Sequence, residues 1–239
     1  MRTERISAGS YDLNKWLFGG YEQDIITTIY GPAGSGKTNL CVLVAASQAK
    51  KGKKVIFIDT EGGFSVDRFK QVAGEKYEEA LKNILLLKPV SFEEQEKAFG
   101  KMLKELRNVS LIVVDGMTML YRLELADVKE DESKVRVINS NLARQLRILA
   151  EIARNKLIPV IVTNQTYSEF LSEEDFRAGK KPGAKMVGGD LLKYWSKCII
   201  ELQQEGKNRK AILKKHRSMQ EKELSFYITN SGIKKRGIF

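Results

Sequence analysis

The chain has 239 residues, 42% of them hydrophobic, and 41 Lys and Arg against 30 Asp and Glu for a formal net charge of +11. That length suffices for one large domain with a substantial core, while the lack of an N-terminal apolar stretch or any apolar run of 18 residues or more predicts a cytoplasmic protein with no membrane span. Cys41 and Cys198 lie in apolar surroundings at a spacing that suits neither a disulfide framework nor a zinc site, and both are expected in the core.

In chain order, Ile25 to Tyr30 is an apolar, β-rich run leading into Gly31-Pro32-Ala33-Gly34-Ser35-Gly36-Lys37-Thr38. A helical pattern then runs from Lys37 to about Lys50 and is closed by Gly52. Strand, glycine-rich loop and helix in that order make a phosphate cradle. The glycines let backbone amides turn inward, and the helix directs its N-terminus at the anion. Lys37 can reach β- and γ-phosphates, and Thr38 can offer its hydroxyl to Mg²⁺.

Val55 to Asp59 and Ile84 to Leu87 are further short apolar runs, separated by a polar helical stretch from Val66 to Leu81 with an interruption at Gly74. A longer amphipathic helix is predicted from Ser91 to Arg107, with Ser91 as N-cap and Glu94 closing a capping box. Leu111 to Asp115 is the next strand, Val135 to Asn155 the longest helix, and Pro159 to Asn164 the strand after it. Continuous apolar runs alternating with helices predict an α/β fold, a mostly parallel central sheet with helices on both faces. Beyond Leu191, the runs Lys197 to Gln203, Arg209 to Lys215 and Glu223 to Thr229 read as strands with short connections, a C-terminal antiparallel extension. The charge is concentrated there: Gly179 to Phe239 holds fifteen Lys and Arg against five Asp and Glu. A polyanion would gain affinity from that surface by counterion release, and a solvated lysine-rich face fits the charge equally well.

Ligands of such sheets lie at the carboxyl ends of the strands. Asp115 ends one of them and is expected to anchor Mg²⁺ with Thr38, directly or through a second shell. Glu61, just past Val55 to Thr60, can orient or deprotonate an attacking water. Gln165 follows Asn164, where a neutral amide can hydrogen-bond a γ-phosphate and report its loss to the following loop. Read alone, Glu61 and Gln165 also suit ordinary loop positions.

Arg5-Ile6-Ser7-Ala8-Gly9-Ser10, GPAGSGKTNL from Gly31, FIDTEGGF from Phe57, LIVVD from Leu111, VTNQ from Val162, MVGGDLLKYW from Met186 and ELSFYITNSGI from Glu223 follow one another along the chain. This series resembles the RecA/RadA recombinase superfamily, and within it the archaeal RadB group of RadA paralogues, over nearly the whole length. The resemblance implies a single RecA-like P-loop ATPase core over residues 1–239, with ATP and Mg²⁺ as cofactors. It places ATP on Gly31, Pro32, Ala33, Gly34, Ser35, Gly36, Lys37, Thr38 and Asn39, and the metal on Thr38 and Asp115. Glu61 becomes the catalytic carboxylate and Gln165 the switch glutamine, acting with Lys37. DNA binding is implied, single-stranded above all, through loops at Tyr121 to Lys134 and Gln165 to Met186. Arg122, Arg177, Lys180, Lys181 and Lys185 are the candidate contacts. A RadA-type recombinase and other recombination proteins are the implied partners, and self-association stays open.

Departures from the family pattern carry information too. The core begins at about Arg5, so the N-terminal helical domain and the aromatic polymerisation motif of full-length RadA-type proteins are not expected. After Tyr121-Arg122 the first loop continues Leu123-Glu124-Leu125-Ala126-Asp127-Val128-Lys129-Glu130-Asp131-Glu132, whose carboxylates repel phosphate. In the second loop Glu169, Glu173, Glu174 and Asp175 precede the basic residues, so only its later half suits nucleic acid. Leu213-Lys214-Lys215-His216-Arg217 resembles a segment of the KaiC branch in which Lys and Arg act on a neighbour's nucleotide, which makes Lys215 and Arg217 candidates for trans action. A strand-borne pair that binds DNA or faces solvent fits the same residues. His216, the only histidine, has no neighbours at metal-ligand spacing.

The expected function is an ATP- and DNA-binding recombinase paralogue of homologous recombination and repair, an accessory or mediator with weak, DNA-linked ATP hydrolysis. The rival is a KaiC-like nucleotide-gated regulatory ATPase with a protein partner. A third reading is a binding module in which ATP is a conformational clamp.

Overall fold

A computed structural model describes residues 4–168, 184–206 and 208–237 of the chain. Strands β3 (Ile26–Gly31), β4 (Lys54–Asp59), β5 (Ile84–Leu87), β6 (Val109–Asp115) and β7 (Val160–Ser168) come from the predicted apolar runs, after a short N-terminal unit of β1 (Arg5–Ile6), α1 (Tyr11–Trp16) and β2 (Tyr21–Glu22). Between the strands lie α2 (Lys37–Ala49), α3 (Val66–Ala73), α4 (Tyr77–Leu81), α5 (Phe92–Lys104), α6 (Met119–Asp127) and α7 (Glu132–Lys156). The C-terminal part holds β8 (Ala184–Met186), α8 (Gly189–Trp195), β9 (Ser196–Glu205), β10 (Asn208–His216), β11 (Lys222–Thr229) and β12 (Gly232–Lys235).

The main sheet runs β12-β11-β10-β9-β3-β7-β6-β4-β5, with β8 paired to β7. From β9 to β5 neighbours are parallel, and from β9 to β12 antiparallel. In register, Gly31 faces Gln165 and Asp59 faces Asp115. The carboxyl ends of β3, β4, β6 and the middle of β7 therefore share one rim of the sheet.

Alternation along the strands divides the core between two faces. Val55, Phe57, Leu111, Val113, Ile161 and Ile200 pack with Leu40, Leu43 and Val44 of α2. Ile56, Ile58, Ile112, Val114 and Val162 pack with Phe99 and Met102 of α5 and with Leu142, Leu146 and Leu149 of α7. Leu146 is fully buried, so truncating it to Ala would cost about 2 to 5 kcal/mol through lost contacts and a residual cavity.

The helix ends show how local chemistry set the boundaries. Ser91 Oγ accepts from Glu94 N at 3.1 Å, while the Glu94 carboxylate accepts from Val90 N at 2.9 Å, so the expected box closes one residue ahead of the cap. Asp131 accepts from Ser133 N and Lys134 N at 3.1 and 3.2 Å, and α7 starts at Glu132 rather than Val135. The Ser133 hydroxyl and the Lys134 amide hold the Asp131 carboxyl down at about 2. The stretch expected as the first DNA loop is thus largely helical, α6 to Asp127 followed by four residues and the capped start of α7. A fourth C-terminal strand, β12, escaped the sequence pattern because its four residues include two lysines; pairing with β11 defines it. Among the described residues no helix is long and apolar enough to cross a membrane.

Candidate nucleotide site

The loop between β3 and α2 is built on glycine at two points. Gly36 caps α2 with φ of 103°, and a Cβ on Gly31 would stand 2.3 Å from the Leu202 carbonyl oxygen. Neither position admits a side chain without moving backbone. Lys37, buried at 5% exposure, donates to Gly31 O at 2.9 Å and Pro32 O at 3.0 Å. Burial lowers its pKa, against the pull of Glu61 and Asp115. Pro32, Ala33 and Gly34 lie on the exposed crest of the loop, whereas the Ser35 hydroxyl is buried beneath it with no hydrogen-bond partner. Asn39 turns its side chain aside: its Oδ1 accepts from Arg68 Nε at 2.7 Å.

Asp115, at the end of β6, is almost wholly buried. Its Oδ1 accepts from the Thr163 hydroxyl at 2.5 Å, and its Oδ2 has no hydrogen-bond partner. Burial raises its pKa to about 6, with the Thr163 and Thr38 hydroxyls favouring the ionised form and Glu61 and Asp59 opposing it. A buried carboxylate oxygen without a donor beside a threonine hydroxyl is the donor set Mg²⁺ prefers, since that ion uses one or two protein oxygens and takes the rest from phosphate and water. The residues present fit the ion. Among the described residues no cluster of three or more His, Cys, Asp or Glu offers an all-protein metal site.

Glu61 stands on the turn after β4, and Asp59 shapes that turn by accepting from Gly63 N and Phe64 N, each at 3.0 Å. Gly116 makes the space: its φ is 89°, and a Cβ there would lie 2.3 Å from Thr60 Oγ1 and 2.8 Å from Glu61 Cγ. Gln165 Nε2 donates to Glu61 Oε2 and Oε1 at 3.2 and 3.4 Å, and Gln165 Oε1 accepts from Lys37 Nζ at 3.5 Å. Lysine, amide and carboxylate thus form one chain across the mouth of the loop. On the next residue inward, Asn164 Oδ1 accepts from the Thr118 hydroxyl and from Gln165 N, while its Nδ2 donates to Val187 O. Val187 N in turn donates to Gln165 O at 3.2 Å, joining Gln165 to the chain that follows β8.

Lys37, Thr38, Asp115, Glu61 and Gln165 therefore meet at one rim. The other expected contacts are dispersed. Arg122 is exposed on α6. Lys185 belongs to β8, opposite Tyr167. Arg177, Lys180 and Lys181 lie outside the described residues. Lys215 and Arg217 sit at the far end of β10, away from the loop, and both are engaged within the chain. Lys215 Nζ donates to Lys193 O at 2.7 Å, and Arg217 bonds Glu22 at 2.7 Å and both oxygens of Asp24 at 2.5 and 2.7 Å. His216 is 3.7 Å from Glu22 with its pKa lowered by burial, and both cysteines are buried, as their surroundings imply.

Three contributors were not among the site residues expected from the sequence. Thr163 binds Asp115 and also accepts from Gly116 N at 2.8 Å, Asp59 holds the Glu61 turn, and Arg209 of β10 donates to Gly34 O at 3.2 Å. Thr163 lies within the VTNQ string and was within reach of sequence reasoning. Arg209 is 175 residues from its partner, and only the fold unites them.

The sequence model of the Rad51 family matches residues 1–236. Proteins described as DNA repair and recombination protein RadB are similar throughout: that of Methanococcus maripaludis is 42% identical, covering 92% of this chain and 96% of its own. That of Methanococcoides burtonii is 41% identical over 97% and 98%, and that of Methanocaldococcus jannaschii 40% identical over 92% and 98%. A solved structure described as that of the RadB recombinase superposes with a TM-score of 0.74 at 36% identity, covering 95% of this chain and 98% of that one.

Proposed function

This chain belongs to the Rad51 family, among its RadB members, and from that premise we propose that it is an ATP- and DNA-binding recombinase paralogue of homologous recombination and DNA repair that acts on a RadA-type recombinase as a mediator. The observation that carries the nucleotide half is the chain Lys37, Gln165, Glu61 across the loop, beside a buried Asp115 oxygen that lacks a donor. When bound, Mg²⁺ neutralises charge on the β- and γ-phosphates.

The protein's residues supply the rest. Backbone amides of Gly34 to Thr38 and the α2 N-terminus cradle the phosphates. Lys37, now on the Gly31 and Pro32 carbonyls, would turn to phosphate oxygens, and Thr38 and Asp115 Oδ2 would hold the cation. Glu61 orients the attacking water and accepts its proton, a role worth about 10²- to 10⁴-fold in rate. Gln165 shares Glu61 and Lys37, so a change at the γ-phosphate shifts its bonds and, through Asn164, its link to Val187. Lys180, Lys181 and Lys185 then contact phosphate with little sequence preference.

The mediator role is supported by the first-loop region, where Glu124 and Asp127 lie on α6, Glu130 and Asp131 on the short link after it and Glu132 at the start of α7. Such a surface is poorly suited to hold DNA extended in a filament. The test mixes purified chain with ATP and single-stranded DNA, follows turnover, then adds the cognate recombinase and follows filament growth and joint-molecule formation. DNA-dependent turnover and an altered filament rate are expected. Efficient strand exchange by this chain alone, or no effect on the recombinase across a hundredfold concentration range, overturns the mediator reading.

A further inference from the structure

Helix α8 ends in Lys193-Tyr194-Trp195, and Tyr194 is 70% exposed although it is a large aromatic. Its ring meets Trp195 edge-on, centroids 5.2 Å apart at 89°, which steadies the ring. Lys197 Nζ stands 5.9 Å from the ring centroid and donates to Tyr194 O at 3.3 Å. Lys215 Nζ, from β10, donates to Lys193 O at 2.7 Å. Lysines from three elements thus gather at the end of the helix that bears the exposed ring, with Lys197 over the ring itself and Lys215 bonded to the backbone one residue before it. Among the described residues none of the three has an ion pair with a carboxylate; Asp190, the acid on the same helix, is exposed one turn earlier. The pKa of Lys215 is lowered by burial and then by Lys197, a pair of costs that a bound anion would relieve.

Helix α8 begins at Gly189, shortly after β8, and leads into β9. Its seven residues span about 10 Å, the length of about three stacked nucleotides.

Building on the DNA-binding reading above, we propose that Tyr194, with Lys193, Lys197 and Lys215, is a stacking platform for single-stranded nucleic acid. A base lies on the Tyr194 ring and the flanking phosphates meet the three ammonium groups. The ring is sequence-tolerant, because every base offers a π-face, and the lysines make the contact salt-dependent.

The test uses the full chain with fluorescein-labelled oligothymidylate and an abasic oligomer of equal length, read by anisotropy over a salt series. Tyr194→Ala is expected to lower oligothymidylate affinity about tenfold and to leave the abasic oligomer's affinity unchanged. Tyr194→Phe, which keeps the ring, should bind within about twofold of the parent. Lys193→Gln with Lys197→Gln should flatten the log–log salt slope by about 1.4, or 0.7 per lost phosphate contact. If the parent binds no DNA at low salt, the DNA-binding reading itself fails. If the parent binds and Tyr194→Ala keeps both affinity and preference for bases over abasic sites, this platform alone is refuted. Sedimentation of the same variants covers the remaining case: a changed oligomeric state with unchanged DNA affinity would assign the patch to contact between copies and overturn the proposal.

Discussion

The Gln165 amide donates to both carboxylate oxygens of Glu61, at 3.2 and 3.4 Å, across 104 residues of sequence. The same amide offers its oxygen to Lys37. A residue that contacts both the loop lysine and the carboxylate couples the two.

Glu61→Gln should therefore bind ATP within a few-fold of the parent and lose at least about 10²-fold in turnover, since an amide holds water but does not take its proton. Gln165→Ala should keep basal turnover within about tenfold and lose its stimulation by single-stranded DNA. Steady-state hydrolysis with and without oligonucleotide separates the two variants. Parent-rate hydrolysis by Glu61→Gln would remove that residue from the mechanism.

Lys37→Ala should abolish most ATP affinity, by tenfold or more in calorimetry, because a charge-assisted contact to phosphate is worth roughly 1.5 to 3 kcal/mol. Lys37→Arg should not rescue it. The ammonium sits between the Gly31 and Pro32 carbonyls at 2.9 and 3.0 Å, and a planar guanidinium cannot reproduce that compact point of charge.

Asp115→Asn should separate stability from activity. The carboxylate is buried with an oxygen that no donor satisfies, so a neutral amide that still accepts from Thr163 should stabilise the nucleotide-free protein in EDTA by about 1 to 3 kcal/mol. The same variant should lose Mg²⁺-dependent ATP binding. Thermal melts in EDTA and in Mg²⁺-ATP check both halves: the parent should gain from the ligand and the variant should not.

Arg217→Ala should destabilise the chain by about 1 to 2 kcal/mol, a fall of about 2 to 8 °C in Tm, because it takes one of two arginine partners from a Glu22 carboxylate that is 2% exposed. The Asp24 carboxyl is held below its ordinary 3.8, first by its hydrogen bond to Arg217. A depressed carboxyl stabilises the fold above the unfolded value and loses that contribution as pH falls through the folded one. The Tm gap between parent and Asp24→Asn should accordingly be full at neutral pH and close below about pH 4. A gap that stays constant down to pH 3 would show that the pair contributes through packing instead.

What the sequence determined alone was whatever depends on neighbours along the chain. Periodicity placed β3 to β7 and the helices between them except α6. The spacing of Gly31, Gly36, Lys37 and Thr38 announced a phosphate cradle, because a loop of that length on a strand and helix has few ways to fold. The polar residues closing each apolar run pointed to Asp115, Glu61 and Gln165, because a parallel sheet brings its carboxyl ends to one rim.

Tertiary structure decided what depends on register and approach across the chain. The acidic stretch after Tyr121 reads as loop, yet α6 carries it to Asp127 and the Asp131 carboxylate, accepting from Ser133 N and Lys134 N, starts α7 at Glu132. Asp115 acquires its raised pKa only when α2, β4 and β7 close over it. Arg209 meets Gly34, Arg217 meets Glu22 and Asp24, and Lys215 meets Lys193 because antiparallel β10 returns beside β9 and delivers side chains more than 20 residues away in sequence. Such contacts leave no periodic trace. They arise when burial excludes water and a charged group must find its partner within the protein.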